Sequence, residues 1–98
     1  MSKVKVSVLY PAGEGNTFDM GYYQTKHREI VERVLAPVEF TFEEGLPGQP
    51  FMATGHLLFE SMEVMQQAMG SPDAGEAQSD VANFTNVTPQ IQIGTVVA

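Results

Sequence analysis

The apolar and polar positions divide the chain into a run of strands and helices. Val4, Val6, Val8 and Tyr10 alternate with Lys3, Lys5, Ser7 and Leu9, the period of two that marks a strand with one apolar face. Pro11 ends it, and residues 12–16 (AGEGN) read as a flexible loop. Tyr23, His27, Ile30 and Val34 then recur at helical spacing, with Phe18, Met20 and Val31 widening the stripe. Asn16 or Thr17 is placed to cap this helix, Asp19 suits its first turn, and Pro37 stops it near Leu35. Val38, Phe40 and Phe42 alternate with Glu39, Thr41 and Glu43 as a second strand. After the breaker-rich turn at residues 45–50, residues 51–60 read as a third strand, more apolar throughout and therefore central. Ser61 caps a second helix with Met62, Met65 and Met69 inward and Gly70 at its end. Ser71-Pro72 restarts a short helix whose inner stripe is Ala74, Ala77, Val81 and Phe84. Ile91, Ile93 and Val97 mark a fourth strand.

The order βαββα(α)β predicts an α+β, ferredoxin-like βαββαβ protomer. Its four-stranded antiparallel sheet has the first and third strands in the centre and the helices on one face. The apolar positions of all four strands, Ile91 and Ile93 included, are then expected under the helices. The opposite face carries Ser7, Leu9, Thr41, Met52, Thr54, His56, Leu58, Gln90 and Gln92, with Lys3, Lys5, Glu39 and Glu43 among them. A solvated face usually carries more charge. The mixture predicts a homodimer that pairs through this open face, its charges matched or left at the rim.

Composition narrows the function. At 98 residues the chain reads as a single domain, 1–98, and size scaling gives it roughly 5,500 Å² of folded surface. The absence of cysteine removes disulfide scaffolds, thiolate zinc sites, thiol nucleophiles and iron–sulfur clusters. Five cations against 12 carboxylates give a net charge of −7, which repels phosphate and disfavours nucleic acid as a partner. All the cations precede residue 35, so few groups remain for a phosphate clamp. Gly13-Glu14-Gly15 lacks the third glycine of a dinucleotide fingerprint. The two histidines fall on opposite sides of the sheet without metal-ligand spacing, so neither metal nor cofactor is expected. No apolar run is long enough for a signal peptide or a membrane span, which points to a cytoplasmic protein that does not engage membranes.

His27 is the leading catalytic candidate. It shares the apolar stripe with Tyr23, one turn away, and an imidazole can take or give a proton near neutral pH. Facing an apolar pocket it could deprotonate an activated C–H or a phenol. The plainer reading is a buried histidine satisfied by a backbone carbonyl or by Tyr10. Tyr10, Tyr22 and Tyr23 offer phenol donors on apolar bodies; Asn83, Phe84 and Thr85 precede the last strand, where a turn with an anchoring phenylalanine is the plainer reading.

Three stretches together resemble the EthD family of small dimeric α+β barrel proteins. They are Tyr10-Pro11; the run FDMGYYQTKH with Phe18, Asp19, Tyr22, Tyr23 and His27; and the run DVANFT with Asp80, Val81, Asn83, Phe84 and Thr85. The first helix departs in part, with Arg28-Glu29-Ile30 where many members place an apolar or proline-containing stretch. The resemblance implies two ferredoxin-like protomers closing into a dimeric barrel, each with a pocket between sheet and helices for a small hydrophobic organic molecule. It supports a cofactor-independent oxidoreductase, monooxygenase or isomerase with His27 as acid/base and Tyr23 as its catalytic partner. Tyr10, Tyr22, Asn83, Phe84 and Thr85 are then the substrate-binding set. The alternatives are a non-catalytic ligand carrier, or accessory protein of a degradation pathway, and an assembly module without ligand.

Overall fold

In the computed structural model, which describes residues 2–98, strand β1 (Val4–Pro11) leads to a helix in three parts. These are α1 (Met20–Tyr22), a π-helical turn (Tyr23–His27) and α2 (Arg28–Val34). Strands β2 (Glu39–Glu44) and β3 (Phe51–Phe59) follow as a hairpin. Then come α3 (Met62–Met69), α4 (Ala74–Asp80), a 3-10 turn (Val81–Asn83) and β4 (Gln90–Thr95). The four strands form one antiparallel sheet in the order β2-β3-β1-β4. This is the α+β ferredoxin-like arrangement that the element order predicts, with β1 and β3 central.

The long helix starts later than expected. Asp19, not Asn16 or Thr17, caps it, its Oδ1 accepting from the Tyr22 amide at 3.1 Å. The preceding residues have other partners. Phe18 bridges to Thr85, the Thr17 amide donates to Asn86 Oδ1 at 2.8 Å, and Asn16 Nδ2 donates to the Pro11 carbonyl at 3.0 Å. Along the helix and its C-cap the buried positions are Tyr23, His27, Val31 and Leu35, every fourth residue, while Ile30 and Val34 are only half-buried. A strict four-residue series drifts around an α-helix of 3.6 residues per turn; the π-helical turn widens the coil and absorbs part of that drift. It thereby keeps Tyr23 and His27 on the core side together.

Two smaller corrections have local causes. Met65 is buried and Met69 half-buried, but Met62, the first residue of α3, is 43% exposed; it lies outside the core cluster that Met65, Ala68 and Met69 join. Helix α4 begins at Ala74 rather than Pro72, because Ser71 is tied to the end of α3 through its hydroxyl and the Ala68 carbonyl at 3.0 Å.

The main core packs Val4, Val6, Leu57 and Phe59 of the two central strands against Val31, Leu35, Met65, Ala74 and Ala77 of the helices. Strand β4 contributes nothing to it. Ile91 and Ile93, expected beneath the helices, remain 53% and 45% exposed, because β4 is the edge strand beside β1 and the helices stop short of it. Val97 lies past the end of β4.

The other sheet face is laid out as its alternation predicts. Across the strands, Gln92, Ser7, His56 and Thr41 form one row, and Gln90, Leu9, Thr54 and Glu43 the next. Its polar groups are linked. Ser7 Oγ lies 2.9 Å from His56 Nδ1, His56 Nε2 is 3.3 Å from Glu43 Oε1, and Thr54 Oγ1 donates to Glu43 Oε1 at 2.7 Å. The accessible surface is 6050 Å², above the roughly 5,500 Å² that scaling assigns to a chain of this mass. A slab measuring 41 × 30 × 19 Å with one sheet face uncovered accounts for the excess. Among the described residues no helix is long and apolar enough to cross a membrane.

Candidate active site

A cavity of about 740 Å³ lies between sheet and helices. Strand β1 supplies Val8 and Tyr10 to its wall, the π-helical turn Tyr23 and His27, and β3 Gly55 and Leu57; α4 and residues 85–91 complete it. Its lining includes no Lys, Arg, Asp or Glu. His27 is the one imidazole in that lining.

The imidazole is held from behind. His27 Nδ1 is 2.9 Å from Asp80 Oδ2, and both residues are 5% exposed. Asp80 Oδ1 accepts from the Tyr22 hydroxyl at 2.6 Å and from Asn83 Nδ2 at 2.9 Å. Burial pushes the Asp80 carboxyl up, but the hydrogen bonds from Tyr22, Asn83 and His27 together outweigh it and hold it below its ordinary 3.8. The group is therefore an ionised, acceptor-only carboxylate at neutral pH, and Nδ1 of His27 must carry the hydrogen between them. Burial drives the His27 pKa below its ordinary 6.5, against the opposing pull of Asp80. The resting ring is thus neutral, with its proton on Nδ1. Nε2 keeps a lone pair available to the cavity that His27 lines.

The rings are fixed by stacking. Tyr23 lies over Phe42 with centroids 4.4 Å apart and beside His27 at 5.8 Å, each pair within 16° of parallel. Tyr10 meets Tyr23 edge-on at 5.6 Å. Burial raises the pKa of both phenols well above the ordinary 10, so they remain protonated donors. The Tyr23 hydroxyl is buried and has no hydrogen-bond partner, a condition that typically costs about 1–3 kcal/mol.

The expected site residues separate into two groups. His27, Tyr23, Tyr10 and Thr85 line the cavity. Tyr22 and Asn83 stand behind it as partners of Asp80, and Phe84 packs in a buried aromatic cluster with Tyr10 and Tyr23. Three residues that reasoning from sequence gave no place in the site lie at or beside it: Asp80, Phe42 and Gly55. Asp80 carried a readable signal, since it sits three residues after Ala77 on the inward stripe of α4, where a carboxylate needs a partner. His56 is on the opposite sheet face. Among the described residues no three His, Asp or Glu side chains gather in a way that could hold a metal ion.

The EthD domain family matches residues 13–88, most of the chain. The chain belongs to the EthD family. An EthD-like protein from Ralstonia eutropha superposes with a TM-score of 0.88 at 35% identity, over 100% of this chain and 95% of the other. An EthD family protein from Bacillus halodurans gives a TM-score of 0.77 at 20% identity, over 99% and 100%. The EthD domain shares its fold, at much lower identity, with SnoaB, a cofactor-independent oxygenase from Streptomyces nogalater. That TM-score is 0.67 at 9% identity, over 97% and 92%. It also shares it with a dimeric ferredoxin-like protein from Bacteroides fragilis, with a TM-score of 0.62 at 6% identity, over 97% and 96%. No curated protein matches the chain.

Proposed function

We propose that this EthD protein binds a small, largely apolar organic molecule between sheet and helices and that His27 moves a proton on it without a cofactor. The observation that carries the reading is the His27–Asp80 pair at the cavity wall, which commits Nδ1 and leaves Nε2 free. Nε2 takes a proton from a carbon acid activated by a neighbouring carbonyl. The C–H electron pair stays on the ligand as an enolate, and the imidazolium formed is stabilised by the Asp80 carboxylate. Return of the proton to another carbon completes an isomerisation; capture of the enolate by dioxygen is the corresponding oxygenase route. The shared fold with a cofactor-independent oxygenase is compatible with either. The same reading places two protomers together through the open sheet face. The chemistry does not depend on that contact, since every group named here comes from one chain.

2-Tetralone, an enolisable ketone, tests the proton transfer. Wild-type protein in deuterated buffer is expected to accelerate exchange of its α-protons by about 10²–10⁴-fold, the range of a positioned general base. His27→Gln, which can still bond Asp80, is expected to lose that acceleration. NMR integration of the α-protons reads both rates. Binding of 2-tetralone with no acceleration would make the protein a carrier, and equal rates in wild type and His27→Gln would remove His27 as the base.

A further inference from the structure

We infer that Tyr22 and Asn83 are positioning residues for His27: acting through Asp80, they draw off part of the charge that the carboxylate presents to the imidazole. The inference rests on the acid/base reading above and gives a role to two residues that stand outside the cavity.

A carboxylate bonded only to a histidine favours the imidazolium. Asp80 is not in that position. It is buried, and three donors divide its two oxygens. Oδ2 faces Nδ1 of His27 at 2.9 Å. Oδ1 accepts from the Tyr22 hydroxyl at 2.6 Å and from Asn83 Nδ2 at 2.9 Å. The Tyr22 contact has the length of a charge-assisted O–H···O⁻ hydrogen bond. Its two donors come from separate elements, since Tyr22 ends α1 and Asn83 closes the 3-10 turn. They also meet each other, with Asn83 Nδ2 3.4 Å from the Tyr22 hydroxyl. The hydrogen bond to Asp80 raises the Tyr22 pKa above its ordinary 10, so the phenol stays a donor at neutral pH.

Packing keeps the clamp in register with the base. Phe84 lies between them, stacked on Tyr22 with centroids 6.2 Å apart and tilted against His27 at 4.6 Å. Lys26, the cation beside the clamp, sits over the outer phenol, its Nζ 5.7 Å from the Tyr22 ring centre. The rings that pack on His27 carry no charge: Tyr23 on its own helix, Phe42 on β2 and Phe84. Tyr10 of β1, which also feels the Asp80 charge, is an un-ionised phenol. Asp80 is therefore the charge to which His27 responds, and the donors on its other oxygen set how much of that charge the ring meets. A proton-moving imidazole gains from this arrangement. It must be neutral to accept a proton and must then release it; an undivided carboxylate would hold the proton in place.

NMR titration of His27 without ligand tests the clamp. Tyr22→Phe, which keeps the ring on Phe84, is expected to raise the His27 midpoint by on the order of half a pH unit. Asn83→Leu removes the second donor and should raise it as well, and it gives the same reading if Tyr22→Phe does not fold. Both shifts are opposite in sign to that expected on losing the carboxylate itself. In an Asp80→Asn background, where no carboxylate charge is left to divide, Tyr22→Phe should leave the midpoint unchanged. A midpoint that stays or falls on loss of either donor, or that rises equally in the Asp80→Asn background, would overturn the inference. A rise in both variants with no 2-tetralone exchange in wild type leaves the clamp standing and defeats the acid/base reading. His27-dependent exchange without that rise does the reverse.

Discussion

Asp80→Ala is expected to destabilise the protein by about 1–3 kcal/mol, the cost of leaving the buried Nδ1–H of His27 without an acceptor. Tyr22 and Asn83 lose the same partner but lie nearer the surface, where water can replace it. The carboxylate is also what opposes the downward shift of the imidazole, so His27 should titrate at lower pH in the variant. Both groups act in one direction on stability. The folded pKa of His27 is below 6.5. As pH falls from 6.5 through that folded value, the unfolded chain binds the proton more readily and stability declines. Asp80 behaves likewise below 3.8: its contribution is complete above that pH and is lost as pH falls through its depressed folded value. Denaturant unfolding followed from pH 7 to well below 3.8 reads both stages, and Asp80→Ala should remove the lower one. Wild-type stability together with an unchanged His27 titration would mean that Asp80 does not hold the ring.

If two protomers pair through the open sheet face as proposed, Leu9→Glu is expected to leave the chain monomeric. Leu9 lies near the middle of the open face, between Gln90 and Thr54 in the sheet register. In a two-fold contact the same patch meets itself, so each new carboxylate would be buried near its own copy and near Glu43, with no Lys or Arg in the rows beside it. A buried unpaired charge typically costs several kcal/mol. Thr54→Arg would be a weaker test, because Glu43 Oε1 is 2.7 Å from the Thr54 hydroxyl and would neutralise the new cation. Light scattering at micromolar concentration should give twice the mass of the 10.7 kDa chain for wild type and a single mass for Leu9→Glu. A monomeric wild type would refute the open-face contact.

The strands were legible because period-two alternation reports directly on a half-buried sheet. The same alternation put Thr54 and His56 on the open face, opposite Ala53, Gly55 and Leu57. It does not report which strand the helices leave uncovered, so Ile91 and Ile93 read as core although they lie on an exposed edge. The helix start was misplaced because Asn16 and Thr17 have cap chemistry, and only the tertiary contacts to Pro11 and Asn86 occupy them. Of the site, Tyr23 and His27 could be read from their shared stripe. The role of Asp80 required a contact across 53 residues, which spacing cannot supply. Gly55 was hidden for a related reason: a Cβ there would come within 2.8 Å of the Tyr23 hydroxyl, which belongs to another element.

The state of the His27 ring is the most direct test of whether it is a poised base. With ¹⁵N-labelled histidine, long-range ¹H–¹⁵N NMR distinguishes the tautomers, and His27→Gln assigns the two rings. At pH 7 His27 is expected to be neutral with its proton on Nδ1, and to titrate below 6.5, while Nε2 keeps the chemical shift of an unprotonated nitrogen. A proton on Nε2 at pH 7, or a midpoint above 6.5, would contradict it.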